Sequence, residues 1–251
     1  LSGLSLSNGD YTLVGGSGAV TVTPLAVTLS GSPVYNGTTT VSAADLTVAN
    51  LAPGDTQSGL GLSGSATMAG RHAGAQMLAS LSGLSLSNGD YTLVGGSGSV
   101  TVTPLAVTLS GSPVYNGTTS VASGDLTVSN LAPGDTQSGV GLGGSATMAG
   151  RHAGAQTLAS LSGLSLSNGD YTLVGGSGAV TVQPLAVTLA GSPVYNGTTS
   201  VAAGALTVSN LAPGDTQSGV GLSGSATMAG RHAGAQSLAS LAGLSLSNGD
   251  Y

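Results

Sequence analysis

Apolar and polar residues alternate with a period of two through most of the chain. Leu25, Val27 and Leu29 alternate with Ala26 and Thr28, Val20 and Val22 with Thr21 and Thr23, and Leu46 and Val48 with Thr47 and Ala49. Leu60, Leu62, Ala66 and Met68 share one parity, as do Leu84 and Leu86. Successive side chains of a strand point to opposite faces, so this pattern predicts half-buried β-strands. Between the runs sit Ser7-Asn8-Gly9-Asp10, Gly15-Gly16-Ser17-Gly18, Ser32-Pro33, Asn36-Gly37 and Ala52-Pro53-Gly54-Asp55, each with the chemistry of a turn. No stretch of twelve residues free of Gly and Pro carries a helical period. Helix is expected only as a short turn near residues 50–59.

The pattern repeats. Leu1-Ser2-Gly3-Leu4-Ser5-Leu6-Ser7-Asn8-Gly9-Asp10-Tyr11 returns at 81–91, at 161–171 and, with one change, at 241–251. The period is 80 residues, and residues 1–80 differ from 81–160 at nine positions. Such a period exceeds the roughly 20–50 residues of a solenoid coil and is long enough for a small domain. Six or seven strands per repeat predict an all-β chain: a tandem array of small, Gly-rich, Ig-like β-sandwich modules. A continuous β-solenoid, or β-grasp-like modules with one short helix, are the alternatives. Pro24 cannot donate to a central ladder and belongs at a strand start, which sets the phase. Residues 1–23 then read as the C-terminal strands of a preceding module, 24–103 and 104–183 as complete modules, and 184–251 as a module lacking its last strand. The chain is expected to be an excerpt from a longer array.

Composition narrows the chemistry. Only 5% of the 251 residues are charged, against about 25% in an average domain. There is no Cys, Lys, Glu, Phe or Trp, while Gly contributes 44 residues. Without Cys there is neither a disulfide nor a thiolate metal site. Three basic residues cannot neutralise a phosphate backbone, so no nucleic-acid partner is expected. Apolar runs are too short to span a bilayer, so no membrane insertion is expected.

Few residues are candidates for a site. Gly59-Leu60-Gly61-Leu62-Ser63-Gly64 matches G-x-G-x-x-G, but Ser65-Ala66-Thr67-Met68 continues a strand pattern where a nucleotide site needs a helix. The reading is a Gly-rich strand or bulge. Arg71-His72, Arg151-His152 and Arg231-His232 lie in Gly-flanked loops with no nucleophile elbow nearby. Arg71 is expected to pair with Asp45 or Asp55 of its own module. No cofactor and no enzyme activity are expected. Calcium wants six to eight oxygens. The acids of each copy are scattered, so Asp10 and Asp55 are only the places where a calcium site would be sought. Asn36, Asn116 and Asn196 each open an Asn-Gly-Thr sequon and are the candidate glycosylation sites, although the plain reading is a hairpin turn. Tyr11 and Tyr35 are read as corner-packing rings rather than a sugar-stacking stripe.

The order of several blocks carries a family resemblance. Ser32-Pro33-Val34-Tyr35-Asn36-Gly37-Thr38-Thr39 is followed by Leu51-Ala52-Pro53-Gly54-Asp55 and Gly64-Ser65-Ala66-Thr67. Asn88-Gly89-Asp90-Tyr91-Thr92-Leu93 and Val100-Thr101-Val102-Thr103-Pro104-Leu105 come next. This order is similar to the YDG-type repeat of filamentous-haemagglutinin-like bacterial adhesins exported by two-partner secretion. The family's Tyr-Asp-Gly is Tyr35-Asn36-Gly37 here, which preserves the turn and removes a charge. The resemblance implies structural stalk repeats of a long extracellular or cell-surface adhesin or biofilm-matrix fibre, with a carbohydrate- or partner-binding module as the alternative. The partners it suggests are neighbouring copies, by head-to-tail strand completion or bundling, and exopolysaccharide.

Overall fold

The computed structural model describes residues 3–15 and 18–251, with the backbone alone at 96, 97 and 175–177. The chain is mostly β. The first copy contains β1 (Leu25–Gly31), β2 (Thr40–Ser42), a 3-10 turn at Ala43–Asp45, β3 (Leu46–Ala49) and helix α1 (Gln57–Leu60). It continues with β4 (Ser63–Met68), β5 (Gly74–Ser80), β6 (Leu84–Ser85) and β7 (Tyr91–Val102). The second copy repeats the series as β8 (Leu105–Gly111), β9 (Ser120–Ala122), β10 (Leu126–Ser129), α2 (Gln137–Val140), β11 (Leu142–Met148), β12 (Gly154–Ser160), β13 (Leu164–Leu166) and β14 (Tyr171–Val182). The third gives β15 (Thr188–Gly191), β16 (Ser200–Ala202), β17 (Leu206–Ser209), α3 (Gln217–Val220), β18 (Leu222–Met228), β19 (Leu238–Ser240) and β20 (Leu244–Leu246).

Contact density divides the chain into two compact units. One comprises Leu1–Pro33, Thr39–Arg71 and Ala75–Thr101; the other comprises Val34–Thr38, His72–Gly74 and Val102–Tyr251. In the first, the hydrogen-bonded strand order is β2-β4-β5-β7-β1-β3, with β6 also on β4. In the second, the second copy gives β10-β8-β14-β12-β11-β13, with β9 on β11. Strand β12 turns a corner in this path: Gly154–Thr157 pair with β14, whereas Leu158 and Ser160 pair with β11.

The long strands β7 and β14 organise each full copy. Each runs parallel to the first strand of its copy, with Tyr91 opposite Leu25 and Tyr171 opposite Leu105. The Gly-Gly-Ser-Gly block, expected to be a turn, lies inside this strand at 95–98 and 175–178. Its first instance includes Gly16 and Ser17, which lie outside the described residues. The block makes a bulge. Two steps along β8, from Val107 to Leu109, are matched by five along β14, from Leu173 to Gly178. Glycine is required where the ladder resumes, because a Cβ on Gly98 would sit 2.7 Å from Leu78 Cδ1 and 2.8 Å from the Leu29 carbonyl oxygen.

The buried faces follow the alternation. Val27, Leu29, Val41, Leu46, Val48, Ala66, Met68, Leu78 and Val100 are buried in the first copy, as are their counterparts in the second. Leu60, grouped by parity with the β4 strand, instead closes α1 and is fully buried there. Gly61 then takes a left-handed φ of 60° and Gly64 one of 87°, so the G-x-G-x-x-G match is a helix end running into a strand. At the open edge, Gln57 Oε1 accepts from the Val48 N–H at 3.0 Å and Gln57 Nε2 donates to the Leu46 carbonyl at 2.8 Å.

Identical sequence in different surroundings shows what the long strand does. Val20 and Val22 lie outside any strand and are 88% exposed, whereas Val100, Val102, Val180 and Val182 are 2% exposed. The third copy ends at Tyr251, the counterpart of the first residue of β14. There the counterpart of β8 forms only as β15, and that of β12 only as β19, the half that does not pair with a long strand. Clefts of about 700 and 410 Å3 open between these segments, lined by Leu189, Met228, Leu238, Leu241 and Leu244 among others.

Gly144 has a φ of 87°, and a Cβ there would collide with the Gly163 carbonyl oxygen. Gly144→Ala is therefore expected to lower the denaturant midpoint of the second copy by an amount equivalent to more than about 1 kcal/mol. Gly124→Ala restores the residue that the first copy carries at Ala44 and meets nothing within 4 Å, so it should leave the midpoint unchanged. Equal midpoints for the two variants, read by circular dichroism, would refute this account of the close approach at Gly144.

Candidate functional site

The polar side chains that could do chemistry gather where one copy meets the next, within the second unit. The Val34–Thr38 loop of the first copy is built by a tight Asn-Gly turn. Asn36 Oδ1 accepts from the Thr38 N–H and its hydroxyl, both at 2.9 Å, and Gly37 takes a φ of 77°. The Tyr35 N–H donates to the Thr103 carbonyl at 2.8 Å, which fixes the backbone and sends the ring into the second copy.

There the Tyr35 ring meets Tyr171 edge-on, with centroids 5.4 Å apart and planes at 77°. Such pairs set the positive ring edge against the negative face. Both hydroxyls donate to one atom, Asp135 Oδ2, from Tyr35 at 2.8 Å and from Tyr171 at 2.6 Å. The Tyr171 hydroxyl also accepts from the Ala132 N–H at 3.1 Å.

A second contact lies beside the first. Asp170 Oδ1 accepts from the Ala73 N–H at 2.7 Å and Oδ2 from His72 Nδ1 at 2.8 Å. A carboxylate only accepts, so Nδ1 carries the hydrogen. The backbone of Asp170 is fixed too: its N–H donates to Asn168 Oδ1 at 2.9 Å and its carbonyl accepts from the Leu105 N–H at 2.9 Å. The backbone that carries the carboxylate is thus fixed by contacts within its own copy. Asp170 is 5% exposed, while Asp90, its counterpart in the first copy, is exposed.

The same contacts recur 80 residues on. Tyr115 and Tyr251 both donate to Asp215 Oδ2 at 2.8 Å, their rings lie 5.5 Å apart at 77°, and Asp250 takes His152 Nδ1 at 2.8 Å and the Ala153 N–H at 2.7 Å. Arg151 Nη1 donates to the Gly117 carbonyl at 3.4 Å. After the hydrogen bonds of Tyr251 and Tyr115, its charge is a lesser influence that lowers the Asp215 carboxyl of the following copy. Hydrogen bonds from Tyr251 and Tyr115 hold the Asp215 carboxyl below the usual carboxylate range. Burial, then the Asp215 hydrogen bond, pushes the Tyr115 hydroxyl up to about 12. Tyr171 and Tyr251 are raised for the same two reasons in the same order.

The structure does not bring Asp10 and Asp55, the places sought for calcium, together. Asp10 is exposed and its N–H bonds Asn8 Oδ1 at 3.0 Å; Asp55 accepts from the Tyr91 hydroxyl. Among the described residues, no three His, Cys, Asp or Glu side chains gather around a metal position. Asn36, Asn116 and Asn196 are exposed at their turns, each with Oδ1 engaged by the following Thr. Sequence reasoning missed the partners of Tyr35 and His72, which lie 100 and 98 residues away. The available signal was the 80-residue period itself, because a residue in one copy can be read against its neighbour's. No helix among the described residues is long and apolar enough to cross a membrane. Comparison with protein families, curated proteins and solved structures finds no match for this chain.

The seam should fail at both extremes of pH. A tyrosine whose folded value is raised contributes fully below its ordinary value of 10, and that contribution is lost between 10 and about 12. A carboxylate whose folded value is lowered contributes above its ordinary range and is lost as pH falls through the folded value. Tyr115→Phe is expected to lower the melting temperature at pH 7 and to flatten its fall between pH 10 and 12. Tyr115→Ala, which also deletes a buried ring, is expected to cost about 3–5 kcal/mol. An alkaline melting profile in Tyr115→Phe that parallels the parent would refute the assignment.

Proposed function

We propose that the chain is a run of structural repeats from a long secreted or cell-surface protein, the stalk of a bacterial adhesin or biofilm-matrix fibre related to the YDG-type repeats. Each 80-residue copy is read as a small sandwich-like module whose role is length and fixed spacing. One observation carries this reading. The Tyr, Asp and His side chains that could make a site are engaged, in the same geometry at both seams, in joining one copy to the next. Catalysis needs such groups to converge on a substrate, and here they converge on each other. The alternative of a sugar-binding module needs exposed rings to stack on sugars. Tyr35, Tyr91, Tyr115 and Tyr171 are buried, which weighs against it, although Tyr11, expected to pack into a corner, and Tyr195 are exposed.

The test is length. In arrays of two, four and six copies, the maximum dimension in small-angle X-ray scattering should grow by a constant increment per copy. A dimension that levels off as copies are added would refute the stalk.

Neighbouring copies are the partner the reading favours, through strand completion. Residues 11–22 have the same sequence as β14, residues 171–182, and the clefts of the third copy are lined by the equivalents of the two strands, β8 and β12, that flank β14 in the second. A peptide of the β14 sequence should bind the 251-residue chain and protect backbone amides of 185–191 and 234–240 from hydrogen exchange. Unchanged exchange at saturating peptide would refute strand completion.

A further inference from the structure

The first and last strands of a copy are neighbours and run parallel. In the second copy the register is Leu105 to Tyr171, Ala106 to Thr172 and Val107 to Leu173, then Leu109 to Gly178, Ser110 to Ala179 and Gly111 to Val180. Further bonds tie both ends, from the Leu105 N–H to the Asp170 carbonyl at 2.9 Å and from the Gln183 N–H to the Pro113 carbonyl at 2.7 Å. The chain enters β8 directly from Thr103-Pro104 and leaves β14 directly into Gln183-Pro184.

This arrangement decides how a copy meets tension. A pull along the chain draws the start of β8 one way and the end of β14 the other. Because the strands are parallel, those two points lie at opposite ends of the pair. The strands must slide past each other, and the ladder bonds, evenly spaced in a parallel pair, are strained together. An antiparallel pair pulled at its chain ends, or a parallel pair pulled at two adjacent ends, opens one bond at a time. Forced unfolding is governed by the unfolding rate and hence by its barrier, so loading many bonds at once raises the force at which the copy yields. The Gly-rich bulge adds a lock, because sliding β14 would move residues bearing a Cβ into the place of Gly178, which is crowded by Leu158 and the Leu109 carbonyl.

We propose that β8 with β14, and likewise β1 with β7, are shear clamps that bear mechanical load along the chain, an inference that rests on the stalk reading above. The successive clamps are in series, since β7 passes into β8 through only Thr103 and Pro104.

The chain has no cysteine, so introduced thiols place handles unambiguously. In the full chain, Pro104→Cys with Gln183→Cys loads the second copy in shear. Ser112→Cys with Gln183→Cys pulls two adjacent ends of the same pair. All three positions are exposed, and handles are attached after reduction, with folding checked by circular dichroism. At one pulling speed, the force for the first pair is expected to be at least twice that for the second. Equal forces, or a weaker response in shear, overturn the clamp. If either variant fails to fold, Pro24→Cys with Thr103→Cys and Ser32→Cys with Thr103→Cys give the same two directions in the first copy. The outcome is separable from the stalk: equal forces in an array that still lengthens with copy number remove only the clamp. An array that does not lengthen removes the stalk, whatever the forces.

Discussion

The full length of two strands in a copy depends on one twelve-residue strand laid between them, the first strand of the copy and the strand that follows the Arg-His loop. Where β14 lies between β8 and β12, both neighbours form at full length and Leu109 and Leu158 are buried. In the third copy the equivalent segments form only in part, and Leu189 and Leu238 stay half-exposed. The residues are nearly the same, so the difference is cooperative: a strand's hydrogen-bonding groups and apolar face need a partner on each side. Apart from its buried Tyr rings the core is Leu, Val, Ala and Met, with no Phe or Trp to fill gaps, which sharpens that need.

The seam answers a problem set by composition. With so few charged side chains, a surface joint cannot rest on many ion pairs, and exposed pairs add little in any case. The joint uses buried phenol hydroxyls converging on one carboxylate oxygen, beside a second carboxylate whose backbone is fixed by its own copy. Hydrogen bonds to a charged acceptor are stronger than neutral ones, and preordering the acceptor reduces the entropy lost when the loop docks. At the second seam this arrangement raises Tyr115 and Tyr251 and lowers Asp215, which widens the pH range over which they keep the protonation state the joint needs.

Much of the fold was legible. The alternation at Leu25–Leu29 and Leu46–Ala49 marks real strands, Ala52–Asp55 is a real turn, and the period appears in the chain as repeated element series; Asn36-Gly37 is a bend and not the hairpin expected, since the strands on either side, β1 and β2, do not pair with each other. What was not legible depended on distance or crowding. The Gly-Gly-Ser-Gly block looks like a turn because glycine permits one. It is a bulge because Leu78 and the Leu29 backbone leave no room for a side chain, and local sequence carries no trace of that. The parallel pairing of first and last strands is hidden for the same reason. Leu60 obeys strand parity yet closes a helix, because Gly61 takes a left-handed conformation just after it. At the seam, Asp55 and Asp10 were noticed for their carboxylates. Their counterparts Asp135 and Asp170 act as acceptors for a neighbouring copy, which no spacing within one copy could disclose.

Near-identical neighbours carry a hazard that dissimilar ones do not, since any strand of one copy fits its place in another. An open sheet edge is the usual point of entry for such a stray strand. The amide of Gln57, and those of Gln137 and Gln217 after it, occupies one backbone donor and one acceptor on the outer strand β3 and its equivalents. A single side chain there imitates one residue of a further strand and then stops. An incoming copy would have to displace that amide before it could begin to pair. Each glutamine thus leaves an incoming strand one donor and one acceptor fewer to meet on that edge.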